Sequence, residues 1–223
     1  MISAPMPTLD DSERLAARRL LRMPFRALVA NLREVYESAP PEELASGLAW
    51  YDNAHSLARE VATLAGADIA NAAACISALS PQLNWEANSR AALELARGET
   101  PRGVLKASVR KARRILSGAD PREAMHSRPA RGLGGYKTAA FFECILDPAG
   151  APPVCIDSHA IAAALGRPAT EKEASVTFRR RKIYARLARA YDAARPAGLP
   201  VHVFQAVVWC AWRAIPRAER LPF

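Results

Sequence analysis

The only run in this chain that reads as a strand is Val154-Cys155-Ile156, and three residues cannot build a sheet. Apolar residues elsewhere recur at helical spacing, so the chain is read as all-α. A loose tail over 1–12 gives way to a helix capped by Asp11 or Ser12 and running through Leu20-Leu21. A second helix spans roughly Pro24 to Ser38. A third starts at Ala39-Pro-Pro-Glu-Glu, with prolines and acids suited to a first turn, and continues past Trp50-Tyr51 and His55 to Leu64. Asp68 to Leu79 is small and apolar, a helix made for close packing, and it stops at Ser80-Pro81. Asn84 caps the next, from Trp85 to about Arg97. A basic helix follows over Gly103–Leu116, and a short one opens at Asp120-Pro121. After a glycine-rich turn and an apolar helix, a loop over Asp147-Pro-Ala-Gly-Ala-Pro-Pro leads to a helix at Asp157-Ser-His. Two more helices are expected, about Glu171–Arg195 and Val201–Ile215, the last stopped by Pro216.

With 50% hydrophobic and 24% charged residues, the 223-residue chain has the makings of a core, which excludes disorder as its main state. Its longest apolar runs, such as Val201–Trp212, are too short to span a bilayer and carry His202 and Gln205. Lysine and arginine number 31 against 22 aspartates and glutamates, a net charge of +9. A surface this basic suits a polyanion, nucleic acid first. The start, Met1 to Asp11, lacks the basic and apolar regions of a secretory signal, so a cytoplasmic location is expected. Cys75, Cys144, Cys155 and Cys210 lie in apolar surroundings with no C-x-x-C pair, so zinc and iron–sulfur spacing are both missing. They read as buried free thiols.

Gly132, Gly134 and Gly135 stand directly before a helix. The first amides of a helix are unpaired and carry partial positive charge, so such a turn can hold a phosphate without any side chain. It can equally be a plain corner between helices. The spacing is neither the dinucleotide-binding G-x-G-x-x-G nor a P-loop, and no strand precedes it. Lys137 sits in the first turn of the following helix, where the helix dipole disfavours an ammonium. It is a phosphate contact, a solvated side chain or a nucleophilic amine, and the last needs burial or neighbouring positive charge. Asp157 follows 157 − 137 = 20 residues later. It caps the helix beginning at Ser158, or it holds a carboxylate at the mouth of a cleft facing the Lys137 helix. His159 is either a base or a packed side chain.

The string Gly-Leu-Gly-Gly-Tyr-Lys-Thr-Ala, an apolar helix, and then Val-Cys-Ile-Asp-Ser-His resembles the helix-hairpin-helix DNA glycosylase superfamily, the endonuclease III-like proteins. That family has a glycine-rich hairpin ending in a lysine followed by Thr-Ala, and a later Asp in an Asp-x-His triplet. Lys137 and Asp157 fall on those positions. Leu79-Ser-Pro-Gln-Leu-Asn-Trp is similar to the family's Leu-Ser-x-Gln segment, which puts Gln82 near an opened base pair. Lys111-Ala112 resembles the Lys-Ala before the hairpin, and the segment from Val203 to Arg213 resembles the late helix under the site. The resemblance covers roughly residues 65–215. The family's usual hairpin proline is replaced by Gly132, and its C-terminal cysteine cluster is missing.

The resemblance implies two lobes with a cleft between them: one from 13–64 plus 158–223, the other 65–157 with the helix-hairpin-helix at about 121–146. It implies a monomer on double-stranded DNA, without cofactor, metal, membrane or obligate protein partner. It implies excision of a damaged or modified base flipped out of the duplex at a cost of a few kcal/mol. Asp157 and Lys137 would be catalytic. Gly132, Gly134, Gly135 and Thr138 would bind a phosphate, with Gln82, Asn84, Lys106, Arg110, Lys111 and Arg114 also on the DNA. Trp85, Tyr136 and His159 would line the base pocket, and Trp50, Tyr51 or Trp209 could also stack on a base, although aromatics at helical spacing equally serve as core. Arg113 would add backbone contacts, and the run from Phe178 to Lys182 would do likewise or be a solvated helix face. If Lys137 attacks the sugar, a Schiff base and strand cleavage follow; if Asp157 activates water, they do not. A relative acting on a hypermodified base, and a DNA-binding module with a dead site, are the other readings.

Overall fold

The computed structural model describes residues 9–126 and 135–216, and within them the protein is all-α, with thirteen helices and no strand. In chain order these are α1 (Asp11–Arg22), α2 (Phe25–Glu37), α3 (Pro41–Leu48), α4 (Trp50–Ala65), α5 (Ile69–Leu79) and α6 (Trp85–Ala96). They are followed by α7 (Lys106–Leu116), α8 (Pro121–His126), α9 (Tyr136–Leu146), α10 (Ser158–Leu165), α11 (Glu171–Arg179), α12 (Arg181–Ala194) and α13 (Val201–Ala214). The run from Val154 to Ile156 is irregular backbone.

Short polar side chains fix where helices begin. Asp10 and Glu13 form a capping box on α1, so residues 10–12 belong to that helix and its cap rather than to a tail. Thr170 and Glu173 do the same for α11. Asn84 accepts the Ala87 N–H at 2.8 Å to open α6, as its place in the sequence predicts. Glycine ends α10: Gly166 adopts a left-handed φ of 66°, and the Arg167 N–H reaches back to the Ala162 carbonyl.

The chain divides into two compact units. The first holds residues 9–48, 135–136 and 156–216; the second holds 49–126 and 137–155. In the first unit, α2 buries Leu28, Leu32 and Val35 against α10, α12 and α13. Tyr191 of α12 packs edge-on to Phe204 of α13 and donates its hydroxyl to the Ala160 carbonyl at 2.9 Å. Gly47 brings α3 onto α13: a Cβ there would lie 2.3 Å from Val207 Cα.

The second unit is built around α5, in which every residue from Asn71 to Leu79 is buried. Its alanines let α4, α6, α7 and α8 pack against it. Asn71 donates to the carbonyls of Ile115 (2.6 Å) and Ala119 (3.0 Å), satisfying the end of α7. Ser77 donates to the Thr138 carbonyl at 2.7 Å and ties in α9.

Two long helices expected from the sequence are each broken. The run from Pro41 to Leu64 divides at Ala49, because α3 buries its side on α13 while α4 buries Ala54, Ala58 and Val61 on α5 and α6. Residues 49–64 therefore belong to the second unit, not with the N-terminal helices. The run from Glu171 to Arg195 divides at Arg180, whose backbone is extended (φ −114°, ψ 105°). No single helix among the described residues is long and apolar enough to cross a membrane.

Candidate functional site

In the first unit, Asp157 occupies the N-cap of α10 with extended backbone. Its Oδ1 accepts the Ala160 N–H at 2.8 Å, and its Oδ2 accepts the indole N–H of Trp209, from α13, at 2.9 Å. The carboxylate is half-buried, so it keeps an open side while both oxygens are held. His159 stands perpendicular to Trp209, ring centroids 6.1 Å apart. The Arg213 guanidinium lies over the same indole, 4.3 Å from its centroid.

The residues that precede the two candidate catalytic groups meet on one side chain. The Tyr136 ring packs on Tyr184 at 5.5 Å. Tyr184 Oη accepts the Ile156 N–H at 2.9 Å. Gly135, the one glycine of the turn among the described residues, faces the Phe178 carbonyl; a Cβ would meet it at 3.8 Å, an ordinary contact. Nothing in the protein's own packing therefore requires a glycine there. Gly132 and Gly134 lie outside the described residues.

In the second unit, Lys137 is half-buried in the first turn of α9, and its carbonyl accepts the Cys155 thiol at 3.7 Å. Thr138, expected on the DNA, is only 4% exposed. Its side chain is part of the packing, so only its backbone amide could serve a phosphate. Gln82 is exposed in the turn between α5 and α6 and is the one non-glycine residue with positive φ (66°) among those described. Asn84 gives its side-chain oxygen to the α6 cap. Trp85 stacks obliquely on Trp50, centroids 4.9 Å apart, with Phe141 at 6.5 Å, while Trp50 meets Tyr51 edge-on at 4.9 Å.

α7 carries Lys106, Arg110, Lys111, Arg113 and Arg114 and no acid. Ser108, Val109, Ala112 and Ile115 are buried, so Lys106, Arg110, Arg113 and Arg114 share the outward, exposed surface. Arg113 also donates to Thr100 Oγ1 at 3.0 Å. Lys111 is half-buried, and burial, followed by the charge of Arg114, holds its pKa below the usual lysine value.

The thiols of Cys75, Cys144 and Cys210 are pushed up by burial, Cys75 to about 12 and Cys210 to about 11. That marks inert packing groups rather than nucleophiles. Among the described residues, no group of three or more His, Cys, Asp or Glu could hold a metal ion.

Two roles escape a reading of the sequence. Tyr184 stands in a basic helix with no motif around it, and Trp209 reads as a core or stacking ring rather than a donor to Asp157. Trp209 stands 52 positions from Asp157, and nothing in between carries a local signal of that contact. No curated protein and no solved structure matches this chain. A family model matches residues 17–216, nearly the whole chain, and on that match the protein belongs to the family of unknown function DUF7178.

Proposed function

We propose that this protein is a DNA glycosylase that flips a damaged or modified base out of duplex DNA and cuts its bond to the sugar. The observation that carries the reading is Asp157, a half-buried carboxylate at the start of α10 with both oxygens held by donors. As the base leaves, positive charge develops on the sugar, and a fixed carboxylate stabilises it without having to reorganise. The motifs around Lys137 and Asp157 support the same reading, as does the acid-free exposed surface of α7. So does Gln82, whose exposed amide stands on a backbone conformation that a side chain rarely adopts.

In this mechanism Gln82 fills the gap left by the everted nucleotide, and α7 neutralises backbone phosphates. The amides leading into α9 receive a phosphate of the reacting strand. Lys137 attacks C1′ as the glycosidic bond breaks and the base leaves with its electron pair. The proton shed by the amine passes to O4′ as the C1′–O4′ bond breaks to leave an iminium, and loss of a C2′ proton with departure of the 3′ phosphate cuts the strand. If Lys137 only contacts phosphate, water adds at C1′, Asp157 takes its proton and an abasic site remains.

The test is incubation with duplexes carrying uracil, oxidised, alkylated or hydroxymethylated bases, followed by borohydride, which reduces an iminium to a stable amine. A covalent adduct that disappears in Lys137→Ala supports the lysine route. Abasic product without an adduct, abolished in Asp157→Asn, supports the water route. Product from the hydroxymethylated duplex alone identifies an enzyme for hypermodified DNA. Duplex binding without product from any substrate overturns the enzymatic reading in favour of a DNA-binding module, and no binding overturns both. Alanine at Lys106, Arg110 and Arg114 together should flatten the dependence of log K on log salt by about 0.9 for each phosphate that is no longer neutralised.

A further inference from the structure

An N-cap aspartate uses one oxygen for its cap. Its second oxygen ordinarily turns freely, because the torsion about the carboxylate is broad. In this protein that second oxygen is held: Trp209 donates to Asp157 Oδ2 at 2.9 Å while Ala160 donates to Oδ1 at 2.8 Å. The indole is itself fixed. Arg213, one helical turn further along α13, covers a face at 4.3 Å, and the His159 ring meets the indole at right angles. The donor and the acceptor sit on α13 and α10, which pack together within the first unit. An indole has one polar hydrogen and no acceptor, and here that hydrogen is directed at Asp157.

We propose that Trp209 is a positioning residue for Asp157, setting the plane of the carboxylate that faces the sugar, and not a stacking platform for the flipped base. The proposal rests on the excision reading above. A stacking ring keeps a face open and takes its orientation from the base it receives. Trp209 takes its orientation from a carboxylate, and one of its faces is occupied by a guanidinium. A carboxylate that stabilises developing charge works through its geometry, and a misplacement of about 1 Å can cost about a hundredfold in rate. Asp157 without this donor keeps its cap but loses the orientation of its outer oxygen.

Trp209→Phe removes the N–H and keeps an aromatic ring. The full chain carrying it is compared with wild type in single-turnover excision, on a duplex that wild type processes, and in binding to an undamaged duplex at the same salt. The rate constant is expected to fall about 10–100-fold, with duplex affinity unchanged. An unchanged rate overturns the proposal. So does a loss of rate matched by an equal loss of binding, which would assign the indole to the DNA. A second readout needs no turnover. In the 1H–15N spectrum of the free protein, the Trp209 indole signal, identified by its loss in Trp209→Phe, should move on Asp157→Asn; a signal that stays in place overturns the coupling. Wild type that excises nothing from any duplex sinks the excision reading and this role with it. An active wild type with an equally active Trp209→Phe sinks this role alone.

Discussion

The phenolic oxygen of Tyr184 accepts the backbone N–H of Ile156 at 2.9 Å, one residue before Asp157, while its ring packs on Tyr136, one residue before Lys137. Ile156 is fully buried, so its N–H has no water to turn to. Tyr184→Phe keeps the ring contact and strands that donor, at a cost of about 1–3 kcal/mol. Urea unfolding should show the loss as a lower midpoint at unchanged slope. If the protein excises bases as proposed, excision should fall further than duplex binding, because the backbone that sets Asp157 has lost its anchor. A variant as stable as wild type would mean that Ile156 finds another acceptor.

Gln82 holds a left-handed backbone, φ 66°, with its side chain exposed. Such a conformation costs a non-glycine residue about 1 kcal/mol or more. Gln82→Gly should therefore stabilise the protein by about 0.5–1 kcal/mol net of glycine's greater chain entropy. Gln82→Ala keeps the strain and should not. If the amide fills the gap left by the flipped nucleotide, both variants lose excision to the same extent, whatever their stability. Retained activity in either would remove Gln82 from the DNA.

The all-α class is readable because helical spacing and end signals are local: Asn84, Thr170 and Asp157 each cap a helix through an N–H three residues ahead. The breaks at Ala49 and Arg180 are not readable. Neither residue is a helix breaker, and each break follows from what the flanking helices pack against. Lys137, Asp157 and Gln82 stand out because motif and turn chemistry are written in consecutive residues. Tyr184 and Trp209 do not, because each acts on a residue 28 or 52 positions away. The burial of the Thr138 side chain is hidden for a related reason: the string Lys-Thr-Ala says nothing about which side of α9 meets α5.

Glu173, only 1% exposed, pairs with both terminal nitrogens of Arg167 and accepts the Thr170 N–H at 2.9 Å. Burial pushes its carboxyl upward, but the bonds from Arg167 and Thr170 outweigh it and hold the pKa below the usual glutamate value. The folded pKa is thus below the unfolded one, about 4.3. The group's contribution is present above that pH and is lost as pH falls through the folded value. Glu173→Gln should destabilise the protein at pH 7 by about 1–3 kcal/mol, discounted because the Arg167 side chain is 33% exposed. Urea unfolding from pH 7 down to pH 3 should show wild type and variant converging. A constant gap would mean that the pair contributes nothing that titrates.

Gly47 lets α3 approach α13 so closely that an added Cβ would lie 2.3 Å from Val207 Cα and 2.7 Å from its backbone nitrogen. Those are main-chain atoms of a helix and cannot swing aside. Gly47→Ala should therefore cost about 3 kcal/mol or more, the upper range for overpacking. An exposed helical glycine changed to alanine would instead gain about 1 kcal/mol. The consequence reaches the candidate site, because Val207 and Trp209 stand on the same helix and a shift of α13 away from Gly47 moves the indole relative to Asp157. In a variant that still folds, the Trp209 indole signal should be displaced even in the absence of DNA. A Gly47→Ala protein with wild-type melting behaviour and an unmoved indole signal would mean that α3 yields instead, leaving α13 and its hold on Asp157 independent of this contact.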